Sequence, residues 1–331
     1  MNFKTRIFLT LLALFALTSL TSPFLGMAAD ADPPEAPISP PEDVGDPADS
    51  ELPTHTVYLP LITRNTNPLV YIPAGEFIMG SDSDGRPETS PEHIVFLDAY
   101  YIFQNLVTNL LFADFVQQTG YITSAEMRGW SYMGPSLLKL NGAFWYSPEG
   151  PGSTSVGREH YPVVHVSWND AQLFCEWYGG RLPTEAEWEK AARGIDGRRY
   201  PWGDQLPTSD RANFCDWANC PAPHAIPGTN DGYRQHSPVG IYPNGASYYG
   251  VLDMAGNLNE WVWDWYDPDY FKDTPYANPA GPETGEYKAE KGGSWNSGWT
   301  TLRSFSRSGY ETPDHSHNME GFRCVIPIST P

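Results

Sequence analysis

Between Leu69 and Phe103 apolar and polar side chains alternate in two runs. LVYIPAGEFIMGS (69–81) alternates on both sides of a Pro-Ala-Gly turn, and EHIVFLDAYYIF (92–103) is a second strand-like run. A two-residue period is what a strand with one buried face requires, so both predict strands. The period then lengthens. TNLLFADFVQQTG (108–120) sets Leu111, Phe112, Phe115 and Val116 on one helical face, with Gly120 as the stop. SWNDAQLFCEWYGG (167–180) predicts a second helix ending in glycines. LPTEAEWEKAARG (182–194) predicts a third, in which Thr184 caps, Glu187 returns the bond and Gly194 ends the helix. The remainder reads as short strands and loops studded with Pro, Gly and Trp. Pattern alone therefore supports an α+β class with a high loop content and no fixed-period repeat.

Composition sharpens this picture. The chain has 331 residues, 40% hydrophobic and 14% aromatic, enough for a large core. Twelve tryptophans, 30 glycines and 32 prolines point to aromatics filling irregular space between short elements. A formal net charge of −20 excludes nucleic acid and anionic membrane surfaces as natural partners and favours cations.

The first 29 residues have the form of an export signal. Lys4 and Arg6 precede an apolar run from Ile7 to about Leu20, and GMAAD follows, which places cleavage near Ala28 or Ala29. The run is short for a spanning helix, so membrane contact is expected only if the segment stays uncleaved. No cysteine near that site supports a lipid anchor. Residues 30–66 begin with eight acidic residues from Asp30 to Glu51 and no lysine or arginine among them, which reads as an extended linker. Residues 67–331 are expected to form one domain of a secreted or extracytoplasmic protein, with a cell-surface tether as the variant.

Four cysteines in an exported chain read as two disulfides. Cys215 and Cys220 are close enough to close a local loop, which leaves Cys175 for Cys324. Neither pair has the Cys-x-x-Cys spacing of redox-active thiols.

The wording of the chain goes further than its periodicity. YPVVHVSWNDAQLFCEWYGGRLPTEAEWEKAARG, GNLNEWVWDWY, KGGSW and GFRC, in that order, resemble the formylglycine-generating enzyme family, also called sulfatase-modifying factors; FVQQTGYITSAE and PEGPGSTS fit it too. The resemblance covers nearly everything from Leu69 to Pro327. It implies a variant of the C-type-lectin fold with little regular secondary structure and many ordered loops, and it assigns Cys175–Cys324 as the family's structural disulfide.

It also implies two structural Ca²⁺ sites. Asp253 and Glu260 would supply side-chain oxygens and Gly256 and Leu258 backbone carbonyls. Asn213 and Asp231, with the carbonyls of Phe214 and Tyr233, would form the other. Hard oxygen donors in flexible geometry suit this ion, although on spacing alone Asp253 and Glu260 read more plainly as solvated surface acids.

The family's oxidase chemistry uses two cysteine thiolates that hold Cu(I) just after the Gly-Gly-Ser turn. An ungapped match of GGSW places those positions at Ser297 and Leu302, so both thiols are missing and copper is not expected. The family's acidic residue before VTN is Leu106 here, and its Arg-Tyr-Arg run becomes RSFSR, which keeps Arg303 and Arg307. Ser294, Trp295, Asn296, Trp299, Arg303, Phe305, Arg307 and Tyr310 would line the cleft where the family grips its peptide.

His315 and His317, flanked by Asp314 and Glu320, offer a His-x-His pair beside that cleft that could chelate another metal. His165 sits in an apolar run and reads as a core histidine. The expectation is a calcium-stabilised, sulfatase-modifying-factor-like module that binds a peptide, protein or glycan without the oxidase activity. The alternative is an oxidoreductase of the same superfamily that uses a metal near His315 and His317.

Overall fold

A computed structural model describes residues 66–328 except 84, 219 and 221–224. The expected leader, and the linker up to residue 65, lie outside the described residues. The first alternating run forms β1 (Leu69–Ile72) and β2 (Gly75–Met79), and the second splits into β3 (His93–Leu97) and β4 (Tyr100–Phe103). Each run contributes to two sheets: β2 pairs with β3, whereas β1 pairs with β4.

Three helices arise where periodicity and caps place them. In α1 (Asn109–Thr119) the Thr108 side chain accepts from the Leu111 amide, Leu111, Phe112 and Phe115 are buried, and Gly120 ends the helix with φ of 68°. A shorter helix that periodicity did not reveal, α2 (Ser124–Arg128), follows, held by a reciprocal box between Thr123 and Glu126. α3 (Trp168–Tyr178) has the same device at Ser167 and Asp170. In α4 (Glu185–Arg193) Thr184 and Glu187 form the box and Gly194 follows.

A hairpin of β5 (Trp130–Met133) and β6 (Leu138–Asn141) precedes α3. After α4 a long looped stretch leads to β7 (Asn259–Trp265), β8 (Lys288–Lys291), β9 (Arg307–Glu311), β10 (Glu320–Gly321) and β11 (Val325–Pro327). These build a sheet of order β10-β7-β8-β9, while β11 joins β1 and β4.

One apolar cluster packs α4 against β2, β3, β7 and β8 through Trp188, Phe77, Val95, Val262 and Ala289. A second joins α1 and α3 through Phe112, Phe115, Phe174 and Trp261. Cys175–Cys324 crosses that second cluster with a Cα separation of 5.5 Å, and Cys215–Cys220 closes its short loop. Closing 149 residues of chain is worth about 4–5 kcal/mol in the chain-entropy account. Among the described residues no helix is long and apolar enough to cross a membrane.

Candidate functional site

The site is organised by a glycine turn at the end of β8. Gly292 and Gly293 have φ of 88° and 72°, a left-handed region that L side chains rarely adopt. A Cβ on Gly293 would stand 3.1 Å from Leu302 Cδ2 and 3.1 Å from Ser297 Cβ. The two positions expected from the family's copper site are thus brought together against one bare backbone. Ser297 Oγ accepts the Ser294 amide at 2.9 Å, and the Cys215 amide donates to the Ser297 carbonyl at 3.0 Å. Leu302 is fully buried with Tyr200, Ala212, Phe214 and Ala255.

The residues expected to line the cleft divide. Trp295, Asn296, Trp299 and Arg303 are half-buried, and the Arg303 guanidinium lies 5.1 Å from the Trp299 ring centre. Four others do not face a cleft. Arg307 is buried, and its guanidinium grips Glu185 at 2.8 and 2.7 Å. Phe305 is core and stacks near Arg193, Ser294 is buried in the turn, and Tyr310 is 74% exposed. A surface pocket of about 480 Å³ lies elsewhere, lined by Asp98, Arg181, Thr184, Glu187 and Trp263 among others, and includes none of the expected cleft residues.

The loops expected to hold calcium pack backbone to backbone. The Asn257 amide donates to the Asn213 carbonyl at 2.7 Å, and a Cβ on Gly256 would collide with that carbonyl. Gly256 in turn donates to Gly292 at 3.0 Å, so these loops buttress the glycine turn. At one set Asn213 Oδ1 is buried with no hydrogen-bond partner, an orphaned acceptor that suits a cation. Asp231 accepts from the amides of Phe214 and Tyr233 and is pushed up to about 6 by burial. The other set is more committed. Glu260 is fully buried with both oxygens bound to Arg323 at 2.6 and 2.8 Å, while Asp253, at φ of 56°, accepts from the Gly240 amide. An ion there must share Glu260 with a guanidinium.

His165 is a satisfied core histidine, bonded to Ser131 Oγ at 2.8 Å and to the Pro148 carbonyl at 2.9 Å, and burial holds it down to about 3. The expected His-x-His pair does not assemble. His317 Nε2 bonds the Gly134 carbonyl and its Nδ1 accepts the Met319 amide, so neither nitrogen is free. Asp314 is exposed and paired with Arg128. His315 instead meets Glu311 Oε2 at 2.8 Å through Nδ1 and Glu320 Oε1 at 3.7 Å through Nε2, and Tyr132 stacks on it at 4.8 Å. Glu311, and Glu290 behind it, were missed from sequence; a bulge between β8 and β9 carries them to this face, and nothing local in the sequence signals it.

A Trp-rich α+β scaffold with short sheets, ordered loops and a Gly-Gly-Ser turn over two apposed side chains is the formylglycine-generating-enzyme variant of the C-type-lectin fold. The chain matches the sulfatase-modifying factor enzyme 1-like domain over residues 59–328 and belongs to that family. It is 40% identical over 288 residues to the formylglycine-generating enzyme of Streptomyces coelicolor, covering 79% of this chain and 90% of that one. It is 36% identical over 288 residues to the mouse protein named inactive C-alpha-formylglycine-generating enzyme 2, covering 80% and 87%. Among solved structures, PvdO from Pseudomonas aeruginosa superposes with a TM-score of 0.62 at 26% identity, covering 78% of this chain and 94% of that one.

Proposed function

We propose that this chain is an exported, calcium-stabilised member of the family that serves as a binding or accessory module for a peptide, protein or glycan and does not make formylglycine through copper. One observation carries the reading. The two side chains apposed at Gly293, where the resemblance puts copper thiolates, are a serine whose oxygen is spent on a backbone amide and a leucine closed into an apolar cluster. A hydroxyl is a poor ligand for a soft monovalent ion and an alkyl group is none. All four cysteines are already paired in disulfides, so no free thiol can substitute, and such pairing is usual outside the cytosol. A relative whose name carries the word inactive supports the idea that this scaffold persists without the oxidation. Half-buried Trp295, Trp299 and Arg303 give the remaining surface the anchor types that concentrate binding energy.

Calcium fits the set of Asn213, Phe214, Asp231 and Tyr233 through the orphaned Asn213 oxygen and the buried Asp231 carboxylate. It would cross-link loops that carry few ladder hydrogen bonds of their own. The decisive experiment incubates the chain with copper, oxygen and a Cys-x-Pro-x-Arg peptide and reads the peptide mass. The expected result is an unchanged cysteine; an aldehyde product overturns the proposal. A Ser297→Cys, Leu302→Cys double variant should gain stoichiometric Cu(I) where the parent holds none.

A second reading has its own observation behind it. Glu311, His315 and Glu320 offer ligand atoms all within 4.8 Å of one another, so an oxidoreductase using a different metal would have a place to hold it.

A further inference from the structure

We propose that Glu290, His315 and Glu320 bind a divalent transition-metal ion, with Glu311 as the residue that orients His315. This rests on the second reading for any chemistry, but not for the binding itself.

The three ligands arrive from separate elements. Glu290 comes from β8, Glu320 from β10, and His315 from the turn after β9, whose last residue is Glu311. Strand β7 lies between β8 and β10: Trp261 is opposite Glu290 and Asn259 is opposite Glu320, so both carboxylates share one face of the sheet. All three are sealed from solvent, with exposures of 5% for Glu290, 8% for His315 and 3% for Glu320. Each leaves one polar atom without a hydrogen-bond partner: Glu290 Oε1, His315 Nε2 and Glu320 Oε2. Buried polar atoms are almost always satisfied, so orphaned atoms on Glu320, on His315 beside it and on Glu290 along the same sheet face call for an unseen partner.

Charge gives the same answer. Among the described residues no lysine or arginine pairs with Glu290, Glu311 or Glu320; the one base that meets any of them is His315, against Glu311 and Glu320. Buried carboxylates without compensation cost several kcal/mol each, and they must either take up protons or gather a cation. Protons would remove the charge and turn a carboxyl oxygen into a donor, but they bring no single partner that all three atoms can share. A cation removes both faults.

The donor set selects the ion. One imidazole nitrogen with carboxylate oxygens suits Zn²⁺, Mn²⁺ or Fe²⁺, whereas Ca²⁺ and Mg²⁺ prefer oxygen alone and Cu(I) prefers sulfur. Glu311 holds His315 Nδ1 at 2.8 Å, which fixes the tautomer that leaves Nε2 to ligate. Tyr132 lies within 14° of parallel to the imidazole and restrains its tilt.

The test strips the full chain of metal, restores calcium in excess throughout, and titrates Zn²⁺ and, without oxygen, Mn²⁺ and Fe²⁺. Bound metal per chain and melting temperature are both read. One ion per chain is expected, with a rise in melting temperature. Glu320→Gln and His315→Gln should abolish it while near-ultraviolet circular dichroism of the metal-free variants stays parental. Glu311→Gln should keep the stoichiometry and weaken affinity about 10–100-fold, the usual effect of losing an orienting partner. His317→Ala should bind normally. Absence of a stoichiometric ion in the parent overturns the site, as does loss in His317→Ala with retention in Glu320→Gln. Stoichiometric metal in a chain that oxidises nothing would uphold the site and sink only the oxidoreductase reading.

Discussion

Strand β8 reads Lys-Ala-Glu-Lys, and all four residues are buried. Its two faces solve that problem in opposite ways. Toward α4, Lys291 lies 3.0 Å from Glu189 and 3.6 Å from Glu185, Arg307 clasps Glu185, and Glu260 on β7 clasps Arg323. Each of these acids has a cation. On the other face Glu290 shares its surroundings with Glu311 and Glu320, and only a histidine stands nearby. Matched charge in a core is architecture. Unmatched charge in a core is an invitation to a ligand.

The largest effect that would test this contrast comes from breaking a matched pair. Glu185→Ala removes the buried carboxylate that Arg307 and Lys291 share, and should cost about 3–5 kcal/mol in urea unfolding. In metal-free protein, Glu290→Gln should stay within about 1 kcal/mol of the parent or stabilise it, because it deletes a charge that had no partner. Equal losses for the two substitutions would erase the distinction between the faces.

Much of the scaffold is legible from sequence, and β8 shows where legibility stops. Capping boxes and glycine stops mark α3 and α4 because their chemistry is local: a hydroxyl and a carboxylate three residues apart satisfy each other's backbone whatever surrounds them. The same signature at Thr123 and Glu126 could have revealed α2, but a single turn carries too little periodicity to stand out. No local rule makes Lys-Ala-Glu-Lys a buried strand. Lys288 is accommodated only because Trp168 and Trp265 each approach its ammonium to 3.8 Å and the Trp263 carbonyl accepts from it. The apposition of Ser297 and Leu302 followed from the resemblance. Glu320 already flanks His315 in the sequence, whereas the place of Glu290 on the same sheet face followed only from strand register.

An effect of intermediate size separates the two candidate calcium sets. Removing calcium should lower the melting temperature, with a loss of roughly 2.7 kcal/mol when the free ion stands at 100 times its dissociation constant. Asp231→Asn should abolish most of that shift. Asp253→Asn should change it less, because Glu260 in that set is already matched by Arg323. A larger effect from Asp253 would mean that an ion can outcompete the guanidinium, and that a matched pair is less final than the comparison holds.

The most gradual effect, spread over several pH units, lies within the matched face itself. Asp264 is buried beside Glu185 and accepts the Glu185 amide at 2.8 Å, while Arg307 and Glu187 also bear on it. Burial, then the Glu185 charge, raises it from an ordinary value of 3.8 to about 8, so Arg307 does not suffice for two acids and the second keeps its proton at neutral pH. For a group raised on folding, the stabilisation is complete below the unfolded value and fades as pH climbs, until it is gone above the folded one. Asp264 should therefore cost the parent at most about 1.4 kcal/mol per pH unit between pH 3.8 and 8. Asp264→Asn is neutral throughout and should remove that slope, so its stability relative to the parent improves steadily from pH 5 to about pH 8. Parallel unfolding curves for the two proteins across that window would show that Asp264 ionises freely, and that the face toward α4 holds more spare positive charge than its ion pairs account for.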